Sequence, residues 1–121
     1  MKNTVSLKEN HIFRRLYQKG QSAVSPYLAV YVRRTGRPVS RLGITVSTKL
    51  GHAVVRNRVR RRLREIYRLH EDRIIPGIDL VVVARVKAAH ASYWQLDESF
   101  VRLCGKLGLW KKEAPRTEQK E

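Results

Sequence analysis

Hydrophobic residues recur every three or four positions in three stretches of the chain, residues 7–19, 55–70 and 92–107. This spacing predicts amphipathic helices, each with one apolar stripe. In residues 22–48 extended chain is predicted, and from residue 27 onward apolar and polar side chains alternate as in half-buried strands. Residues 78–86 hold a nearly continuous apolar run that predicts a strand covered on both faces. The order of elements is therefore α-β-β-β-α-β-α.

This order predicts an α+β fold. We expect a single-domain α/β sandwich in which three helices pack on a mixed sheet of about four strands. At 121 residues the chain can build one core without disulfides or metals. Residues 1–110 are expected to form this one domain, and the polar residues 111–121 a disordered tail. The single cysteine, Cys104, lies on the apolar stripe of the last helix and is expected to be inert core.

Several residues predict where the helices begin and end. Ser6 followed by Glu9 could form a capping box for the first helix, with Asn10 as a rival cap. Gly20 suits the left-handed residue that often ends a helix. Ser92, followed by glutamine three residues later, predicts a capping box for the last helix.

The alternation in the strands predicts which side chains face the core. The apolar set is Leu28, Val30, Val32, Leu42, Ile44 and Val46. The opposite face is small, polar and basic with aromatic residues: Tyr27, Ala29, Tyr31, Arg33, Gly43, Thr45, Ser47 and Lys49. A lining of this kind is unusual for a buried layer and leaves two readings open, a solvent-facing sheet or a binding cleft.

The middle helix carries an unusual charge pattern. Between residues 56 and 68 it holds seven arginines and one acid, Glu65. Solvated helices usually mix signs through pairs four residues apart, whereas unmixed arginines repel each other. The planar guanidinium grips two phosphate oxygens at once, so the pattern favours a phosphate-bearing partner over a merely solvated face. We call this element the arginine helix.

The composition narrows the class of partner. The net charge is +16 and the isoelectric point about 11.0, which favours a nucleic acid. One cysteine suits a reducing cytosol, and residues 1–6 lack the apolar core of a signal peptide. No apolar run approaches the roughly 18 residues that span a membrane. A cytoplasmic protein without a membrane partner or an evident obligate protein partner is expected.

Catalytic motifs are absent from the sequence. The four histidines, at positions 11, 52, 70 and 90, do not pair with one another or with Cys104 at metal-ligand spacing. His52 and His70 would stand about 27 Å apart along one helix. No Walker loop, GxSxG or HExxH occurs, and no carboxylate pair suited to acid–base or two-metal work is evident. The residues predict nucleic-acid binding without a catalytic site on the chain.

The segment AVVRNRVRRRLRE, which follows the strand ending TVSTKLG, carries a resemblance to a known family. Together with the strand and the Gly51 turn before it and the apolar strand after it, this segment resembles the helix that bears the RNR motif in the protein subunit of bacterial ribonuclease P. In this sequence the motif is Arg56-Asn57-Arg58. The similarity extends over residues 7–109. It implies a rare left-handed β-α-β crossover. It also implies tRNA 5′-end maturation by an RNA subunit with bound Mg²⁺, which this protein assists by gripping the leader of precursor tRNA.

The resemblance assigns two sets of residues. Those expected to bind the catalytic RNA subunit are Arg56, Asn57, Arg58, Arg60, Arg61, Arg64 and Arg68. Those expected to bind the 5′ leader in a central cleft are Phe13, Tyr17, Tyr31, Ser47, Lys49 and Arg85. Base stacking on aromatic side chains along a basic groove would give sequence-tolerant binding of a single strand.

Other functions remain open from the residues alone. A ribosomal or other structural-RNA-binding protein would share the composition and the arginine helix. A DNA-reading helix is less favoured, because arginines suited to phosphate leave few side chains for base edges. A free-standing ribonuclease would need a catalytic pair that the sequence lacks.

Overall fold

The computed structural model of the protein describes residues 3–112. The fold consists of one five-stranded sheet and three helices. The strands are β1 (Thr4–Ser6), β2 (Gln21–Val24), β3 (Leu28–Arg34), β4 (Ser40–Val46) and β5 (Ile78–Ala84). The helices are α1 (Asn10–Lys19), α2 (Ala53–His70), which is the arginine helix, and α3 (Tyr93–Lys106). Short 3-10 turns follow β4, α2 and β5 at Thr48–Leu50, Glu71–Arg73 and Val86–His90.

The sheet is mixed, with the strand order β1-β4-β5-β3-β2. Strands β1, β4 and β5 run parallel to one another, whereas β3 is antiparallel to both β5 and β2. The predicted α+β class is confirmed, together with the predicted order of elements from α1 onward. The crossover β4-α2-β5 joins adjacent parallel strands, and its left-handedness remains a prediction. The tail predicted to be disordered lies mostly outside the described residues.

The first strand was missed, and with it the start of the first helix. Ser6 ends β1 and caps no helix; α1 begins at Asn10, and Glu9 precedes it without a capping side-chain bond. Strand β1 is fixed by contacts from far along the chain. The Thr4 hydroxyl donates to Glu71 Oε2 at 2.6 Å and lies 2.8 Å from the Tyr67 hydroxyl. Partners more than 60 residues away leave no local pattern in the sequence.

Gly20 has a different role from the one predicted. Its φ of −75° is extended, so it is not the left-handed end of α1. A Cβ at this position would lie 2.7 Å from the Leu16 carbonyl oxygen and 3.0 Å from that of Val32. Glycine is therefore needed because a side chain here would collide with the last turn of α1 and would crowd the backbone of β3.

Two strand ends also differ from the prediction. Strand β4 was expected over residues 42–48 but covers Ser40–Val46, because Ser47 caps the following 3-10 turn by accepting the Lys49 N–H at 3.1 Å. Strand β5 was expected to reach residue 86 but ends at Ala84, where the next 3-10 turn begins two residues later. In both places a short 3-10 turn begins where the sequence pattern alone predicted that the strand continues.

The sheet has a core on each face. Helices α2 and α3 cover the larger one, where the predicted inward residues of β3 and β4 are buried or partly buried. Helix α1 covers a smaller core of Leu7, Ile12, Leu16 and Val81. Strand β5 is buried on both sides, as its apolar run predicted. Cys104 is fully buried in the larger core, and burial raises the pKa of its thiol to about 12.

The predicted capping box of α3 is confirmed. The Ser92 hydroxyl accepts the Gln95 N–H at 3.1 Å, and the Gln95 side chain accepts the Ser92 N–H at 2.8 Å. We expect Ser92→Ala to lower the free energy of unfolding by about 1 kcal/mol, because it leaves an N-terminal helix amide without its partner. Urea denaturation measures the change. Ser92→Asp, which keeps an acceptor, should retain nearly full stability, and an equal loss in both variants would contradict this role.

Candidate nucleic-acid interface

The arginine helix is held on the sheet by its apolar stripe. Val59, Leu63, Ile66 and Tyr67 are buried, as the spacing of three and four predicted. The helix starts after Gly51, whose φ of 138° is a conformation that residues with a Cβ rarely adopt. With its stripe buried, the helix must present its remaining positions outward, and those positions are mainly basic.

Four members of the predicted RNA-subunit set point away from the core without a carboxylate partner. Arg56 and Arg60 are partly exposed, and Arg61 and Arg64 are exposed. Arg60 donates to Asn57 Oδ1 at 3.0 Å, and Arg56 Nε donates to the Gly51 carbonyl at 3.2 Å. Within residues 3–112 none of the four arginines forms an ion pair. Their mutual repulsion is therefore not offset by a carboxylate among the residues that the structure describes.

Arg58, the second arginine of the RNR motif, is used within the fold. Its guanidinium donates to the Ala89 carbonyl at 3.2 Å, and neighbouring Arg62 donates to the Ala91 carbonyl at the same distance. Both bonds join α2 to the segment that precedes α3. The Arg58 Nε is buried without a hydrogen-bond partner in the described structure. A contact of Arg58 with RNA stays a prediction, and the fold leaves only part of its guanidinium for it.

Arg68 differs from the other predicted RNA contacts because it already grips a carboxylate. Its Nε and Nη2 donate to the two Glu65 oxygens at 3.0 and 2.7 Å. This bond lowers the pKa of Glu65 and raises that of Arg68. Both groups are exposed, so the pair adds little stability. It does neutralise the end of the arginine surface nearest the C-terminus of α2.

On the other face of the sheet, three predicted leader-binding aromatics come together. The Phe13 and Tyr17 ring centroids are 6.4 Å apart, and those of Tyr17 and Tyr31 are 4.9 Å apart at an interplanar angle of 75°. Gly43 makes this arrangement possible, since a Cβ there would lie 2.6 Å from the Phe13 ring. Tyr17 is 42% exposed, so its ring remains accessible to a ligand.

Phe13 and Tyr17 border an open groove of about 530 Å³, and Tyr31 packs against Tyr17 outside the lining of that groove. Its lining residues are Asn10, Phe13, Arg14, Tyr17 and Thr45. Asn10 and Arg14 were not among the residues predicted for this site. Their positions carried a signal, because residues 10, 13, 14 and 17 have the spacing of one face of a helix. Arg14 brings a positive charge to the aromatic rings, as a groove for a single-stranded nucleic acid requires.

Like Tyr31, the remaining three predicted leader contacts do not line the aromatic groove. Ser47 and Lys49 follow the end of β4, and Arg85 follows the end of the neighbouring parallel strand β5, so they share one edge of the sheet. The Ser47 hydroxyl caps a turn, and Arg85 donates to the Ser25 carbonyl at 2.7 Å. Lys49 is exposed. The two groups form adjoining surfaces, the rings beside α1 and the basic edge beyond the strand ends.

Comparison with known proteins identifies the family. The family model described as Ribonuclease P matches residues 1–108. The chain belongs to the ribonuclease P protein family. The ribonuclease P protein component of Natranaerobius thermophilus is 38% identical over 93% of this chain and 97% of its own length. That of Clostridioides difficile is 42% identical over 83% of this chain and 89% of its own. The resemblance drawn from the RNR-bearing segment is thus confirmed.

Solved ribonuclease P proteins share the fold. The Staphylococcus aureus protein superposes with a TM-score of 0.78 at 32% identity and covers 88% of this chain and 97% of its own. The Thermotoga maritima protein gives 0.72 at 33% identity, over 80% of this chain and 92% of its own. The fold of this chain, with its five-stranded sheet, therefore agrees with that of solved ribonuclease P proteins.

Two further findings concern the described part of this ribonuclease P family member. Within residues 3–112, no three His, Cys, Asp or Glu side chains gather in a group that could hold a metal ion. No helix in the same range is both long and apolar enough to cross a membrane.

Proposed function

We propose that this chain is the protein subunit of ribonuclease P and acts in tRNA processing. In this proposal the arginine helix α2 binds the catalytic RNA subunit, and the aromatic groove with its adjoining basic edge binds the 5′ leader of precursor tRNA. By holding both RNAs, the protein assists endonucleolytic removal of the leader and formation of the mature 5′ end.

One observation carries this proposal: the two surfaces occupy opposite faces of the sheet. Helix α2 packs on the larger core, and α1, with the aromatic groove, packs on the smaller one. An RNA on one surface leaves the other free, as a subunit that joins an RNA catalyst to its substrate requires. The unpaired arginines suit the phosphates of a structured RNA, whereas the rings suit unpaired bases.

We assign the chemistry to the RNA subunit, with Mg²⁺ held mainly by that RNA. The arrangement of acidic side chains supports this assignment. Asp79 is bound by Arg41 at 2.8 and 2.7 Å, Glu65 by Arg68, and Asp97 by His70 at 2.8 Å. The His70 ring also stacks on Phe100, with centroids 6.1 Å apart. Each of these carboxylates is already bound by a basic side chain of the protein, which leaves it poorly placed to act as a general acid or base.

The proposal predicts that the protein alone does not cleave precursor tRNA. With a bacterial ribonuclease P RNA it should produce cleavage at Mg²⁺ concentrations where the RNA alone is poor, because the arginine helix screens phosphate charge and the groove adds affinity for the leader. Cleavage is followed by gel electrophoresis with RNA alone, protein alone and both. Robust cleavage by rigorously RNA-free protein, abolished by one point mutation, would overturn the assignment of the chemistry to the RNA.

A further inference from the structure

We propose a third RNA-binding site, a basic pocket formed by Lys19, Arg33 and Arg34, which binds backbone phosphates of RNA. This inference rests on the proposed function in one respect, that the partner is RNA. The pocket lies where the end of α1 meets the end of β3 and the chain that follows α3, and none of its residues was assigned to the arginine helix, the aromatic groove or its basic edge.

The pocket is built by the close approach of α1 to β3. Gly20 lets the end of α1 rest on the β3 backbone, and Gln21 then pairs with Val32 to start the β2–β3 ladder. This brings Lys19, the last residue of α1, beside the final two residues of β3. The resulting hollow has a volume of about 420 Å³. Its lining residues are Lys19, Gly20, Gln21, Val32, Arg33, Arg34 and Leu107.

None of the three cations in this lining forms an ion pair within residues 3–112. Arg33 stands opposite Asp79 in the β3–β5 register, but both Asp79 oxygens are taken by Arg41. Arg34 donates to the Gly108 carbonyl at 3.3 Å, which holds its guanidinium without neutralising it. Among the residues of the described range, neither Lys19 nor Arg33 forms an ion pair.

The presence of a basic residue at position 19 has an ordinary explanation, because the helix dipole favours a cation in the last turn of a helix. That explanation does not extend to Arg33 and Arg34, which belong to a strand. Three like charges around one hollow repel each other, and an anion between them would offset that repulsion. The guanidinium forks of two arginines match phosphate oxygens in geometry.

The pocket is separate from the aromatic groove. At about 100° per residue, Lys19 points about 200° away from Tyr17 around α1. Arg33 lies on the same sheet face as Tyr31 and about 7 Å further along β3. An RNA strand that passes Tyr31 could therefore reach the pocket around the end of α1. The phosphate could equally belong to the RNA subunit, so the source has to be distinguished by experiment.

The test compares two doubly substituted proteins that lose the same charge. Lys19→Ala with Arg33→Ala removes two sides of the pocket. Lys8→Ala with Arg102→Ala removes two exposed cations outside it. The dissociation constant of each protein for a ribonuclease P RNA is measured between 0.1 and 1 M salt. Each protein is then assembled with that RNA, and the dissociation constants of the assembly are measured over the same salt range for mature tRNA and for precursor tRNA with short and long leaders. Equal thermal unfolding of the two proteins checks the fold.

Two lost phosphate contacts should reduce the slope of log K against log salt by about 1.4 for a single strand. The loss of affinity relative to the unsubstituted protein should therefore be about 25-fold larger at 0.1 M salt than at 1 M. A loss confined to long leaders assigns the phosphate to the leader, and a loss toward the RNA subunit or mature tRNA assigns it to those molecules. If the pocket variant matches the Lys8 and Arg102 control for every RNA, the site does not exist. Tyr31→Ala in the same series tests the proposed function independently.

Discussion

Replacing Arg60 and Arg64 with alanine is expected to weaken binding of the RNA subunit most at low salt. The loss of affinity relative to the unsubstituted protein should be about 25- to 60-fold larger at 0.1 M salt than at 1 M. Each arginine that neutralises a phosphate contributes roughly 0.7–0.9 to the slope of log K against log salt, so two of them contribute about 1.4–1.8. Both side chains project from α2 without an ion pair among the described residues. Neither joins α2 to another element, so the fold should be unaffected.

A salt titration of RNA-subunit binding measures this effect. The control is the Lys8→Ala, Arg102→Ala protein, which has the same net charge but an intact arginine helix. The control should follow the unsubstituted protein in slope. An unchanged slope in the Arg60, Arg64 variant would mean that RNA binds elsewhere and that the arginine surface is only solvated.

Replacing Tyr31 with alanine is expected to weaken binding of leader-bearing precursor tRNA by about 1–3 kcal/mol, the usual contribution of one base–aromatic stack. Tyr31 is partly buried and packs edge-on against Tyr17, which lines the groove. Its removal therefore takes away one ring of the aromatic cluster and the support of the next. It lies on the face opposite α2, and RNA-subunit binding should stay nearly unchanged.

The matched control for this ring is Tyr31→Phe, which keeps the stacking surface and should retain the affinity. Mature tRNA, which has no leader, should bind equally well to all three proteins. Dissociation constants of the assembled ribonucleoprotein are measured for both tRNAs. If Tyr31→Ala weakens mature and precursor tRNA alike, Tyr31 is a structural residue and the groove does not hold the leader.

The spacing of apolar residues was sufficient to predict the helices and strands that contact the core along several turns or several strand residues. The stripe from Val59 to Tyr67, the alternation of Leu28, Val30 and Val32, and the apolar run of β5 all predicted structures that formed as expected. The capping box at Ser92 was equally legible, because both of its bonds lie within four residues. In each case the determining interactions are local or repeat along one element.

The features that were missed depend on distant contacts. Strand β1 is fixed through Thr4 by Tyr67 and Glu71, and Gly20 is required by the backbone of β3. The bonds from Arg58 and Arg62 to backbone carbonyls near α3 could not be read from a run of arginines. The sequence predicted which side chains are suited to RNA, whereas the fold decides which of them remain free to bind it.

The two-surface account is tested most directly by measuring both variants against both ligands in one series. The Arg60→Ala, Arg64→Ala protein and the Tyr31→Ala protein are each titrated with the RNA subunit and, after saturating assembly, with precursor tRNA with and without its leader. The account predicts that the arginine variant loses affinity for the RNA subunit alone, whereas the Tyr31 variant loses affinity for the leader alone. Losses of similar size for both ligands in both variants would contradict it.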